Sequence, residues 1–159
     1  MVSRIDAIDA KILRILEKDG RTPASRIAEK VGLSRPAVAE RIAKLESTGV
    51  ILGVTAVVEP VSRGLLITAY ISARSSEEPA GKRKSAFEKL VRRSDVEEVH
   101  KIAGDDCFLL KVRATSIAAL NELVTELASP PLSFATRTTI VMDTYVEKTG
   151  RISRGRLRG

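Results

Sequence analysis

The stretch "GLSRPAVAERIAKLESTGVI" (residues 32–51) decides the fold of the first third of the chain. A serine stands before its apolar positions as a helix N-cap, and a glycine closes it, where a left-handed backbone costs little. The apolar positions follow the spacing of one helical face. They are Val38, Ile42 and Leu45. The stretch therefore predicts an amphipathic helix with a basic outer face.

Two shorter helices precede this one. The first has a helical stripe from Ile5 to Leu16, an N-cap at Asp6, and an end at Gly20. The second restarts at Thr22-Pro23, with threonine as the cap and proline as the first helical residue. A three-residue turn centred on glycine joins the last two helices. This is helix-turn-helix geometry, in which the second helix of the pair enters the DNA major groove.

The outer face of the third helix carries the predicted DNA contacts. With the apolar stripe facing inward, Arg35, Arg41 and Lys44 lie on the outward and flanking faces. Arginine is the side chain best suited to bind guanine bidentately, and we expect Arg41 to read a base edge. The predicted DNA-binding residues are Arg21, Thr22, Ser34, Arg35, Pro36, Ala37, Ala39, Glu40, Arg41 and Lys44.

The periodicity changes after Gly49. Residues 50–62 alternate as one linker strand would, and residues 63–148 follow the order βαββαβ. The predicted elements are a strand in 65–75, a helix in 80–93, a hairpin of 96–103 and 107–114, a helix at 116–128 and a strand in 134–147. This order predicts a ferredoxin-like sheet with both helices on one face. The chain is thus an α+β protein with a helical domain at 1–49.

The hairpin predicts an apolar open face on that sheet. A two-residue turn at Asp105-Asp106 would pair Ile102 with Leu109. The helix-side residues would be Val99, Ala103, Phe108, Leu110 and Val112. The other face would carry Ile102, Cys107 and Leu109 with Leu66 or Tyr70, which is too apolar for water. We therefore expect a homodimer formed through this sheet. Two-fold symmetry then predicts a roughly palindromic duplex DNA target.

Charge is concentrated at the two ends of the chain. The net charge is +7: residues 1–49 carry 10 Lys/Arg against 7 Asp/Glu, residues 50–147 carry 12 against 13, and residues 148–159 carry 5 against none. Basic ends around a neutral middle favour a nucleic acid partner. The tail 149–159 is expected to be disordered. An acidic N-terminus, the lack of an 18-residue apolar run and a single cysteine predict a cytoplasmic protein without a membrane span or a cysteine-built metal site.

The sequence also has features that bear on three other functions: an enzyme, an RNA-binding protein and a protein that compacts DNA. An enzyme would most naturally use His100 and Cys107, but the predicted register separates them by about 13 Å. An RNA-binding sheet requires exposed aromatic residues, and the one phenylalanine of "CFLLKVRA" is expected to face the helices. A protein that compacts DNA with little sequence preference is the open alternative.

The chain resembles the leucine-responsive regulatory protein (Lrp/AsnC) family of prokaryotic transcription regulators. "IDAIDAKILRILEKDGR" and "IAEKVGLSRPAVAERIAKLESTGVI" resemble the opening helix and the helix-turn-helix of that family. "AGDDCFLLKV" and "TRTTIVMDT" resemble the hairpin and the last strand of its effector-binding domain. The resemblance implies a nucleoid-associated regulator that requires no cofactor. It also implies dimers that assemble into tetramers, octamers or larger discs.

The resemblance further implies an amino acid effector bound between dimers. Carried over to this chain, the pocket falls on His100, Gly104, Asp105, Asp106, Cys107, Thr136 and Thr138. The family turn reads Gly-Asp-Tyr-Asp, whereas this chain has Gly-Asp-Asp-Cys. The ammonium group of the ligand requires a carboxylate. Asp106 supplies one, a single position before the second aspartate of the family turn.

Overall fold

The computed structural model describes residues 5–75, 81–145, 147–149 and 152–154, with backbone alone for 148–149 and 152–154. The chain divides into two compact units. The first combines Met1–Val57 with Thr144–Gly159, and the second is Val58–Asp143. The linker residues up to Val57 and the segment from Thr144 onward group with the helices.

The first unit contains the three expected helices, α1 (Ala7–Lys18), α2 (Ala24–Val31) and α3 (Arg35–Ser47). Asp6 caps α1 and Ser34 caps α3, as predicted. The buried core residues are Ile12, Ile27, Ala28, Val38 and Leu45. The start of α2 differs from the prediction by one residue: Pro23 is the N-cap, and the Thr22 hydroxyl donates to the carbonyl oxygen of Asp19 at 2.8 Å instead of capping α2.

The linker strand predicted in 50–62 is not found among the described residues. Residues 52–59 have no regular structure, and a 3₁₀ helix covers Pro60–Arg63. A strand requires a neighbouring strand that pairs with its backbone N–H and C=O groups, and neither of the two sheets formed by the described residues includes this segment. Leu52 remains 95% exposed as a result.

The second unit has the predicted βαββαβ order. Its elements are β1 (Ile67–Arg74), α4 (Gly81–Leu90), β2 (Val96–Lys101), β3 (Phe108–Ala114), α5 (Ile117–Ala128) and β4 (Ala135–Ile140). The strands form one antiparallel sheet in the order β2-β3-β1-β4. Alternate residues of β1 and β3 pack into one core with α5, in which Leu110, Val112 and Leu127 are fully buried.

Three details of the predicted elements are corrected. The last strand ends at Ile140, well before residue 147. Ile117 is apolar and belongs to the predicted helix at 116–128, but it lies in the first turn of α5 and is 60% exposed. In the tail, β5 (Glu147–Thr149) pairs with β6 (Ile152–Arg154), so this part is not without structure; residues 150, 151 and 155–159 of the predicted disordered tail lie outside the described residues.

The hairpin register is two residues away from the predicted one. His100, and not Ile102, pairs with Leu109, and the N–H of Ile102 donates to the carbonyl of Cys107. Gly104 has a φ of +131°, so it belongs to the loop, which is therefore longer than two acids. A shift by two keeps each residue on the same face of a strand. Phe108, Leu110 and Val112 accordingly face the helices as expected.

The open face of the sheet is more polar than predicted: Leu109 and Tyr70 lie on it as expected, but charged and hydroxyl side chains share it. Arg113 donates to Glu97 at 2.9 Å and to Thr68 at 2.8 Å, and Lys111 lies 3.3 Å from Glu97. Cys107, expected on this face, packs against the core, and Leu66 lies outside β1. Lys111 and Arg113 are each only 9% exposed, and their ion pairs lower the cost of burying those charges.

Candidate DNA-binding surface and effector cavity

The outer face of α3 is exposed along its length. The predicted contacts Arg35, Pro36, Ala39, Glu40 and Lys44 are all exposed, while Ala37 is half-buried. Ser34 is exposed and its hydroxyl accepts the N–H of Ala37 at 3.4 Å. Of the two predicted contacts before α2, Arg21 is exposed and Thr22 is half-buried.

Arg41 does not have the expected outward orientation. Its Nη1 donates to Asp6 Oδ2 at 2.6 Å and to Asp9 Oδ1 at 2.7 Å. The other oxygens of these carboxylates form the capping box of α1, in which Asp6 Oδ1 accepts the N–H groups of Ile8 and Asp9. Arg41 therefore links α3 to the first turn of α1.

The hydrogen bonds of this cluster shift the pKa values of Asp6 and Arg41. The backbone N–H of Asp9 and then the Arg41 guanidinium lower the pKa of Asp6 below its ordinary value. The hydrogen bonds to Asp6 and Asp9 raise the pKa of Arg41 in turn. Asp6 and Arg41 are thus both charged near neutral pH, and their ion pair connects the two helices electrostatically.

The second unit contains a cavity of about 680 Å³ at one end of the sheet. It is lined by Arg74, Ser75, Arg83, Gly104, Asp105, Cys107, Ser133 and Ala135. Arg83 extends from α4, donates to Ser75 Oγ at 2.6 Å, and stacks 4.8 Å above the ring of Phe134. The Cys107 thiol donates to the carbonyl of Ser75 at 3.2 Å. Two guanidinium groups and one carboxylate therefore border a single cavity.

Three of the seven predicted effector residues line this cavity, namely Gly104, Asp105 and Cys107. Asp106 lies beside the turn and pairs with Arg137 at 2.9 Å. The other three are on strands and do not line the cavity: His100 lies 3.0 Å from Glu98 on the open sheet face, and Thr136 and Thr138 pair with Ala73 and Ile71. The hydrogen bond from His100 is the main cause of a lowered Glu98 pKa.

Comparison with known proteins places both units in one family. A profile of the AsnC-type helix-turn-helix domain matches residues 5–46, and one of the Lrp/AsnC ligand binding domain matches residues 68–151. The chain belongs to the Lrp/AsnC family. It is 34% identical to the HTH-type transcriptional regulator FL11 of Pyrococcus abyssi, over 91% of this chain and 94% of that protein.

Other relatives agree with this membership. The proline dehydrogenase transcriptional activator of Rhodobacter capsulatus is 37% identical over 93% of this chain and 97% of its own length. The feast or famine regulatory protein of M. tuberculosis, solved in complex with L-methionine, superposes with a TM-score of 0.82 at 31% identity, covering 92% of this chain and 97% of that one. The present chain is an Lrp/AsnC-type DNA-binding transcriptional regulator and not an enzyme.

Part of the cavity in this Lrp/AsnC regulator was missed by sequence reasoning. Ser75 could have been predicted as a cavity residue. It directly follows β1, and the end of β1 pairs with the start of β3, next to Cys107. Arg83 carried no such signal, since it is one of three consecutive cations on α4 and only the packed helix shows which of them turns inward. Within the described residues, no cluster of acids, His and Cys could hold a metal ion, and no helix is long and apolar enough to cross a membrane.

Proposed function

We propose that this protein regulates transcription by inserting α3 into the DNA major groove, where its exposed face sets the sequence preference. The supporting observation is that Arg35 and Lys44 flank an exposed helix face and make no ion pair with any described residue. The acting domains would be residues 1–49 for DNA and 63–148 for effector binding and oligomerisation, joined by 50–62. We further propose a cytoplasmic, nucleoid-associated location.

Base readout by α3 is tested by selection from a pool of random duplexes. The affinity for the selected duplex is then compared with that for random duplex at one stated salt concentration. Substituting Arg35→Ala should cost roughly 1–3 kcal/mol on the selected duplex and relax the preference at one base pair. Lys89→Gln, an exposed change on α4, is the matched control. If selected and random duplexes bind equally, the protein compacts DNA without sequence preference.

We also propose that the cavity of the second unit binds an amino acid effector. Arg74 and Arg83 supply cationic groups for a carboxylate, and Asp105 supplies a carboxylate for an ammonium group. The volume of about 680 Å³ lies within the usual range for small-molecule sites. The methionine complex of the structural relative supports an amino acid as the ligand class.

A thermal-shift screen of the twenty amino acids tests the effector. A ligand that binds only the folded state stabilises it by RT ln(1 + [L]/Kd), so a true effector raises Tm in proportion to log concentration. Asp105→Asn should remove the shift, whereas Asp143→Asn, an exposed acid outside the cavity, should retain it. A flat response to all twenty amino acids would contradict the proposal.

A homodimer is proposed as the acting form, with further assembly into tetramers or octamers. The open sheet face is more polar than first expected, so the support is different. Units of this size bury a small fraction of their surface, and linker side chains such as Leu52 and Val54 are exposed in a single chain. A two-fold dimer would present two copies of α3 to adjacent major grooves of a roughly palindromic site.

A further inference from the structure

A basic groove of about 370 Å³ lies between α1 and α2, separate from the exposed face of α3. Arg14 and Lys18 come from α1, and Arg26 and Lys30 come from α2. Residues four apart lie one above the other on a helix face. Each helix therefore presents a pair of cations, and the two pairs line one groove. These four residues are called the basic groove below.

The four cations of the basic groove have no carboxylate partner among the described residues. Other arginines of the chain, such as Arg41 and Arg93, are paired. Asp19 is the acidic residue that lines the groove, and its carboxylate accepts the N–H of Arg21 at 3.0 Å. Like charges four residues apart destabilise an isolated helix by a few tenths of a kcal/mol. An anion in the groove would remove that repulsion.

The cations of residues 1–49 are concentrated in the groove, whereas the acidic residues of this segment are not. Four of the 10 Lys/Arg in this segment line the groove, but one of its 7 Asp/Glu does. The segment therefore has enough acids to neutralise the groove by alternating charge, yet places most of them elsewhere. A solvated helix face that serves stability alone would mix the two signs along each helix.

We propose that the basic groove binds the sugar-phosphate backbone of duplex DNA that flanks the segment read by α3. This inference rests on the proposed DNA-binding function. Residues i and i+4 are about 6 Å apart along a helix axis, and one DNA strand carries a charge about every 3.4 Å, so each cation pair spans about two phosphates. The cations of α3 do not line the groove, so its contacts add to those of α3.

A polymer backbone fits the groove better than a nucleotide does. Binding of a single nucleotide requires an apolar or aromatic slot for the base beside the phosphate site. The apolar side chains that line the groove are those of Ile15 and Pro23, and no aromatic residue lines it within the described part of the chain. Both walls of the groove carry cations, and the groove has no slot for a base. This arrangement is suited to binding phosphates independently of the DNA sequence.

The test compares two duplexes that share the sequence selected in the experiment above. One is trimmed to the segment with sequence preference, and the other carries about one helical turn (about 10 bp) of mixed sequence on each side. The double variant Arg26→Gln/Lys30→Gln should bind the flanked duplex roughly tenfold more weakly than the unsubstituted protein at low salt. The slope of log affinity against log salt should fall by about 0.9 per lost phosphate contact.

Glutamine keeps the helix propensity close to that of the replaced residues, and a circular dichroism melt verifies folding. Lys84→Gln/Lys89→Gln on α4 removes two exposed charges elsewhere and should leave affinity for both duplexes unchanged. The trimmed duplex should bind the groove variant as tightly as the unsubstituted protein. Equal affinity on the flanked duplex, or an equal loss on both duplexes, would overturn the groove proposal. Failure of the unsubstituted protein to bind either duplex would instead refute the proposed function.

Discussion

Arg41 stands on the third helix at a position that a helical pattern assigns to a DNA-facing flank. In the folded chain its guanidinium is paired within the protein, because carboxylate oxygens of Asp6 and Asp9 lie within 2.7 Å of its Nη1. Each carboxylate uses one oxygen for the α1 cap and the other for Arg41. We therefore expect Arg41 to position α3 against α1 and not to read a base edge.

Replacing Arg41 by glutamine should weaken DNA binding by a similar factor for every sequence and lower the Tm of the protein by a few degrees. The reason is that α3 loses its tie to α1 while its exposed face is unchanged. Affinities for selected and random duplexes, measured beside a thermal melt, check this. Lys11→Gln on the exposed side of α1 serves as the control. A changed base preference with an unchanged Tm would show that Arg41 reads DNA.

Acid should destabilise the helical unit through Asp6. Its folded-state pKa is below the ordinary value near 3.9, so its contribution to stability is complete above that value and is lost as pH falls through the lowered pKa. Urea unfolding followed from pH 7 down to about 2.5 measures the effect. Asp6→Asn should lower stability at pH 7 and show a smaller further loss in acid. Parallel curves for the two proteins would contradict this account.

Among the structural elements, the turn between α2 and α3 depends on one glycine. Gly32 ends α2 with a φ of +73°, and its N–H donates to the carbonyl of Ala28 at 2.9 Å. No atom lies within 4 Å of the position that a Cβ would take. The cost of a side chain here is therefore conformational and not steric.

Gly32→Ala should destabilise the protein by about 1–2 kcal/mol, the cost of holding an L-residue in the left-handed region. Denaturant unfolding at neutral pH measures this difference. Ser25→Ala, at an exposed site on α2, should change stability by less than about 0.5 kcal/mol. If both substitutions proved equally mild, the turn would tolerate another backbone conformation.

The hairpin shows how much of an element the pattern alone determines. Alternation correctly assigned Phe108, Leu110 and Val112 to the helix side, because the side-chain period of a strand is two. The register was wrong by two residues, since a shift by two preserves that alternation. In the folded chain Gly104 lies inside the loop with a positive φ, and His100 pairs with Leu109.

At the scale of the whole molecule, the chain should sediment as a dimer or a larger multiple of 17.2 kDa at micromolar concentration. Exposed apolar side chains of the linker and the small size of each unit favour association. Sedimentation equilibrium gives the mass directly. If the dimer places two copies of α3 one helical turn apart, the half-sites of the selected duplex should repeat at about 10 bp. A monomer at that concentration would contradict the dimer.

The sequence by itself determined the three helices, the βαββαβ order and the family, because caps, glycine stops and hydrophobic periods are local signals. It also placed Asp105 and Cys107 at the cavity through their motif. Only the tertiary structure decided that Arg41 ties α3 to α1, that Arg83 lines the cavity, and that the open sheet face is a charged network. The physical reason is that a cation pairs with the partner nearest in space, and partners such as Asp9 and Arg41, 32 residues apart in the chain, meet only after folding.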